Sequence, residues 1–100
     1  MTIKTERTGE SSITLSLSGR LDTATSPMLK KKLEQWEENT LELTLDFLNL
    51  TYISSMGLRI LLHAQKEMKE QNRKLIIRNM SASVHEVFEM TGFLKLMMVE

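Results

Sequence analysis

Leu41-Glu42-Leu43-Thr44-Leu45-Asp46-Phe47 runs on into Leu48-Asn49-Leu50-Thr51-Tyr52-Ile53-Ser54-Ser55-Met56-Gly57-Leu58-Arg59-Ile60-Leu61-Leu62. In the first part Leu41, Leu43, Leu45 and Phe47 alternate with polar residues, the period of a half-buried strand. In the second part the period changes. Leu58, Leu61, Leu62, Gln65 and Met68 recur at helical spacing, with Lys66, Glu67 and Glu70 on the outward positions, which predicts a helix over about 56–71. Leu48 to Ser54 reads as the loop between them. A strand handing over to an amphipathic helix is half of a βαβ unit.

The flanking sequence repeats the unit. Upstream, Ile13, Leu15 and Leu17 alternate with Thr14, Ser16 and Ser18, a strand that Gly19 is expected to end. Residues 3–7 supply a partner strand across a turn at Gly9-Glu10-Ser11. Thr25-Ser26-Pro27 reads as a helix start, a hydroxyl cap followed by proline at the first helical position. That helix is expected to reach about Asn39, with Leu29, Leu33 and Trp36 on its inner face and Lys30, Lys31, Glu34 and Glu37 on the other positions.

Downstream, the run Leu75-Ile76-Ile77 predicts a strand covered on both faces. Ser81 or Ser83 caps a third helix carrying Val84, Val87 and Phe88, and Gly92 stands where a helix favours a left-handed residue. Phe93 to Val99 reads as a last strand. The predicted order is β-β-α-β-α-β-α-β. It is an α/β fold, a mixed and mostly parallel sheet flanked by helices, since alternating strands and helices favour right-handed parallel crossovers. Functional groups in such sheets gather beyond the carboxyl ends of strands, which here singles out Gly19–Ser26 and Leu48–Gly57.

Composition narrows the function. The 100 residues fit one domain, 1–100. Lys and Arg number 13, as do Asp and Glu, so the formal net charge is zero. That argues against nucleic acid as a partner, which calls for a basic stripe. There is no cysteine, which excludes disulfides, thiolate metal sites and cysteine nucleophiles. Nothing calls for a metal or cofactor. No apolar stretch approaches the roughly 20 residues of a membrane span, and the N-terminus lacks a signal-peptide core, so no membrane partner is expected and a cytoplasmic setting is.

The remaining candidates are few. Tyr52-Ile53-Ser54-Ser55-Met56-Gly57 lacks the glycines and lysine of a phosphate-binding loop and is not a nucleophile elbow. Its serines read in two ways. One caps the helix while Gly57 allows close packing, or one accepts a phosphoryl group at a helix start, where free N–H groups favour an anion. No base stands nearby, so a phosphoryl acceptor here would need a separate kinase, and no enzyme is predicted. His63 and His85 read as surface residues, and the lysines at 30–32 as a solvated face. Of the eight methionines, Met90, Met97 and Met98 are expected to fill core, with an adaptable docking surface as the other reading.

Three stretches together resemble the anti-sigma factor antagonists, the bacterial STAS-domain proteins of the sporulation and stress-response type. They are Leu45-Asp46 with Leu50 to Leu62, Gly19-Arg20-Leu21-Asp22 (the family's Gly-Glu-Leu-Asp turn), and Ser81 to Phe93 (its third helix and the Gly-Leu that follows). The resemblance implies a β/α superhelical fold and partner switching. Such a protein, unphosphorylated, binds an anti-sigma factor that is also a serine kinase and frees the sigma factor. Phosphorylation of one serine separates the complex, and a PP2C-type phosphatase restores it. By register Ser55 is the phosphoacceptor, with Ser54 the alternative. The implied partner-binding surface is Asp22, Asp46, Ser54, Ser55, Met56, Gly57 and Arg59. Ser54 stands where the family often has aspartate, Met56 where Ser, Thr or Ala is common, and Arg59 where many members have glycine. Two other readings stay open: a STAS interaction module in another signalling complex without phosphorylation, and a domain binding a small anionic ligand at the helix start.

Overall fold

The structure, a computed structural model, describes residues 1–35 and 39–100. Its elements in chain order are β1 (Thr2–Arg7), β2 (Ser12–Leu21), α1 (Ser26–Glu34), β3 (Glu42–Ile53), α2 (Ser55–Glu70), β4 (Lys74–Arg78), α3 (Ala82–Met90), a 3₁₀ turn (Phe93–Lys95) and β5 (Met98–Val99). The strands lie in the sheet in the order of the chain, β1-β2-β3-β4-β5. β1 runs antiparallel to β2, and every later pair is parallel. Right-handed crossovers between successive neighbours put α1, α2 and α3 on one face. Burial follows. Leu15, Leu17, Leu43, Leu45, Leu75 and Ile77 point into the helix layer and are buried, while Ser16 and Asp46 between them are half-buried and Lys4, Glu6 and Arg78 exposed.

The helices close the core with Leu29 and Leu33 of α1, Leu58, Leu61, Ala64 and Met68 of α2, and Val84 and Phe88 of α3. The rings of Phe47 and Phe88 meet in a tilted pair with centroids 6.4 Å apart. That geometry suits the ring quadrupoles and ties α3 to the middle strand.

The element order and the parallel sheet agree with the sequence reading, and several details differ. Gly19 does not end β2. It adopts φ +95° beside a register shift between Gly19 and Arg20, and the strand continues to Leu21. Glycine adopts this positive φ without the steric cost a Cβ would bring, on the strand opposite the extra residue. Residues 48–53 are strand rather than loop. Ser16 pairs with Asp46 but Ser18 with Asn49, and Gly19 pairs with Leu50 but Arg20 with Tyr52. β3 thus carries an extra residue at each of two bulges. Each bulge breaks the period of two, so Leu48 is 66% exposed while Phe47, Leu50 and Ile53 are buried. The two expected loops shrink to 22–25 and Ser54.

β4 is fully covered on one face only. Leu75 and Ile77 are buried and Ile76 half-buried, because every crossover helix lies on the same side. The expected strand over 93–99 is mostly not strand. Gly92 takes φ +76° after α3, as its position suggested, and the chain then winds through the 3₁₀ turn. Only Met98 and Val99 pair, with Ile76 and Ile77. Met97 is buried as expected, but Met90, in the last turn of α3, is 78% exposed, and Met98 is exposed as well. α1 closes at Glu34, with Gln35 N–H donating to the Lys32 carbonyl, short of the expected Asn39. Trp36 and Glu37 lie outside the described residues.

Candidate functional site

The carboxyl ends of β2 and β3 converge on one residue. Leu21 pairs with Ile53, and the next amide, Ser54 N–H, donates to the Leu21 carbonyl at 2.8 Å. Ser54 is extended (φ −91°, ψ 168°), and its Oγ accepts from Gly57 N–H at 3.2 Å. It is therefore the N-cap of α2, satisfying one of the orphan amides of the first turn. Ser55 is the first helical residue. It is exposed, and its hydroxyl has no hydrogen-bond partner among the described residues. The two readings of the serine pair thus fall on different residues: Ser54 caps, and Ser55 presents a free hydroxyl at the positive end of a 16-residue helix.

Gly57 explains the closeness of this turn to the sheet. A Cβ there would lie 2.8 Å from Leu21 Cγ and 3.2 Å from Ile53 Cγ1. Only glycine lets α2 start directly on the β2–β3 pair.

Across the turn stands Asp22. Its Oδ1 accepts from the amides of Thr25 and Ala24, each at 3.0 Å, with the Thr25 hydroxyl at 3.1 Å. The Thr25 amide and hydroxyl, followed by the Ala24 amide and the Arg20 charge, hold the carboxyl below its ordinary value. Thr25 is the residue before α1 but makes no side-chain cap. Its hydroxyl instead reaches the Arg20 carbonyl at 2.6 Å and receives Asp22 N–H at 2.9 Å. The expected hydroxyl cap is thus replaced by a turn built on Asp22.

Arg20 sits between two groups. Its guanidinium lies 4.1 Å from the centroid of the Tyr52 ring, and its Nε is 3.8 Å from Asp22 Oδ2. This cation–π pair was not legible in the sequence. The two residues become neighbours only through the register after the second bulge.

Asp46 lies elsewhere. It is level with Ser16, whereas the turn is level with Leu21, roughly 16 Å further on at ~3.3 Å per residue. Its Oδ1 accepts from Leu48 N–H at 3.0 Å and Asn79 Nδ2 at 3.1 Å, and Arg78 stands 3.7 Å from Oδ2. The structure thus gathers Asp22, Ser54, Ser55, Met56 and Gly57 at one turn, with Arg59 one helical turn on, and leaves Asp46 out.

Beside the turn, α1 and α2 flank a groove of about 300 Å³ lined in part by Lys30, Leu33, Met56, Arg59 and Ile60. His63 and His85 are helix-surface residues facing Glu67 at 3.0 Å and Glu89 at 3.7 Å. Among the described residues no cluster of His, Asp or Glu has metal-binding geometry, and no helix is long and apolar enough to cross a membrane.

Known proteins share both sequence and shape with this chain. The family model for the STAS domain matches residues 2–100. BtrV of Bordetella bronchiseptica, which bears the name of an anti-sigma factor antagonist, is 33% identical over 81 residues, 80% of this chain and 70% of its own. The anti-sigma-B factor antagonist of Bacillus subtilis is 28% identical over 83 residues, 83% of this chain and 76% of its own. The fold superposes on SpoIIAA, solved unphosphorylated and phosphorylated, with a TM-score of 0.77 in each case. Identity is 17% and 20%, over 99% of this chain and 87% and 91% of those chains.

Proposed function

The chain belongs to the STAS domain family, and on that premise we propose that it is an anti-sigma factor antagonist switched by phosphorylation of Ser55. Unphosphorylated, it binds an anti-sigma factor that is also a serine kinase, and the sigma factor is released. The setting is cytoplasmic, and the role is regulatory rather than catalytic. The observation that carries the choice of residue is the division of labour at the α2 start. Ser54 Oγ is engaged with Gly57 N–H, whereas the Ser55 hydroxyl is exposed. The names of the relatives support the partner class.

The chemistry comes from the partners. Ser55 Oγ attacks the terminal phosphorus of a nucleoside triphosphate held by the kinase. The bond to the departing diphosphate breaks, and the hydroxyl proton leaves to the kinase. A PP2C-type phosphatase reverses the state with water, releasing inorganic phosphate and restoring the hydroxyl. The added group brings about −1.5 to −2 charge. A helix N-terminus tolerates it, so the fold persists and the docking face changes. Burying an unpaired charge against a partner costs several kcal/mol, a large part of the ~8 kcal/mol that holds a micromolar complex.

The test is purification of the tagged chain from its native cell, with mass spectrometry of bound proteins and of the Ser54–Ser55 peptide. A co-purifying serine kinase, phosphate on Ser55, lost binding in Ser55→Asp and retained binding without modification in Ser55→Ala are expected. Phosphate on Ser54 instead, or binding indifferent to Ser55→Asp, overturns the reading.

A further inference from the structure

The geometry points to an intrachain ion pair between the phosphate of phosphorylated Ser55 and Arg59, so that the protein holds its own modification. The inference deepens the proposed switch and rests on that reading for the modification itself. Ser55 is the first residue of α2 and Arg59 stands four residues later, a spacing that puts Cβ atoms about 5–6 Å apart on one face. Helical side chains lean toward the N-terminus, so the arginine stem leads back over Ser55. An anion placed N-terminal to its cation is also the better orientation for such a pair. The guanidinium fork matches a phosphate with two parallel hydrogen bonds, which an ammonium does not.

Arg59 is available for this role. It is exposed and makes no ion pair among the described residues. The acids that share its groove are Glu34 and Glu67. Glu67 faces His63 at 3.0 Å, and neither acid forms an ion pair with Arg59 among the described residues. Across the turn, Asp22 is bound to the Ala24 and Thr25 amides and faces Arg20. Phosphorylation then changes the docking face twice over: it gains an anion, and the cation of Arg59 is withdrawn from any partner that uses it.

The experiment installs phosphoserine at position 55 of the full chain during translation and follows the phosphate by ³¹P NMR against pH. The second phosphate pKa, ordinarily near ~6, is expected to lie at least about 0.3 unit lower than in Arg59→Gln. That is about 0.4 kcal/mol at ~1.36 kcal/mol per unit. Arg59→Lys falls between. The gap closes in about 1 M salt, and the Arg59 Nε–H resonance moves on phosphorylation. Equal values in the parent and Arg59→Gln, with an unmoved Nε–H signal, overturn the pair. Because the phosphoserine is installed without a kinase, failure of any kinase to modify Ser55 overturns the proposed function and leaves this measurement standing.

Discussion

Gly57 approaches Leu21 so closely that a single added methyl would come within 2.8 Å of Leu21 Cγ. Leu21 is fully buried, and Ile53 hems the same spot at 3.2 Å. The atom met first is a branch point rather than a flexible tip, so the neighbour has little room to give. Gly57→Ala gains about 1 kcal/mol of helix propensity against an overpacking cost of about 1–3 kcal/mol. A net loss of about 1 kcal/mol in urea unfolding is expected, with NMR shifts concentrated at Leu21, Ile53 and Ser54. A variant as stable as the parent, with those shifts unchanged, refutes the account of why α2 starts so near the sheet.

Adjacent serines should respond differently to the same truncation. Ser54→Ala removes the acceptor for Gly57 N–H and is expected to cost about 1 kcal/mol, a drop of about 4–8 °C in Tm for a domain of this size. Ser54→Asp keeps an N-cap acceptor and should stay near the parent. Ser55→Ala removes no hydrogen bond among the described residues and should lie within about 0.5 kcal/mol. Thermal unfolding of the three variants checks the assignment, and equal losses at positions 54 and 55 contradict it.

Asp22 gives the turn a pH dependence of known sign. Its folded-state pKa is held below the ordinary 3.8, first by the Thr25 amide and hydroxyl. A depressed carboxylate stabilises above its unfolded value, and the contribution is lost as pH falls through the folded one. The parent should therefore exceed Asp22→Asn in urea midpoint at about pH 6. The difference should shrink as the pH falls below the ordinary carboxylate value and disappear once Asp22 is protonated in the folded state. A gap that persists unchanged into acid assigns the effect to shape rather than charge.

Much of the fold can be read where the period of two is undisturbed. Leu15 and Leu17, and Leu43 and Leu45, alternate in sequence and point together into the helix layer. The serine–serine–x–glycine start of α2 and the left-handed Gly92 also declare themselves, because capping and positive φ are local demands. The second half of β3 does not, since its two bulges scramble the alternation that would mark it as strand. The same bulges hide the Arg20–Tyr52 pair, which depends on a register no local pattern encodes. Phe93 to Val99 misleads for another reason. It is apolar enough for a strand, but β5 is an edge strand with two paired residues, and the 3₁₀ turn takes up the rest. At the site, the types of residue are legible and the separation of Asp46 from Asp22 is not, because it is set by strand pairing.

A sheet whose strands stand in chain order grows at one margin only. Each strand from β2 onward docks beside the one just laid down, and none has to be threaded between two already paired. Loop closures therefore stay short, and their entropic cost rises only slowly with length. The turn that carries Ser54 and Ser55 needs only β2, β3 and the start of α2 for its backbone hydrogen bonds. The hydrogen bonds of this turn thus lie wholly among elements that precede β4 in the chain, and β4, α3 and β5 extend the sheet and its helix layer beside it.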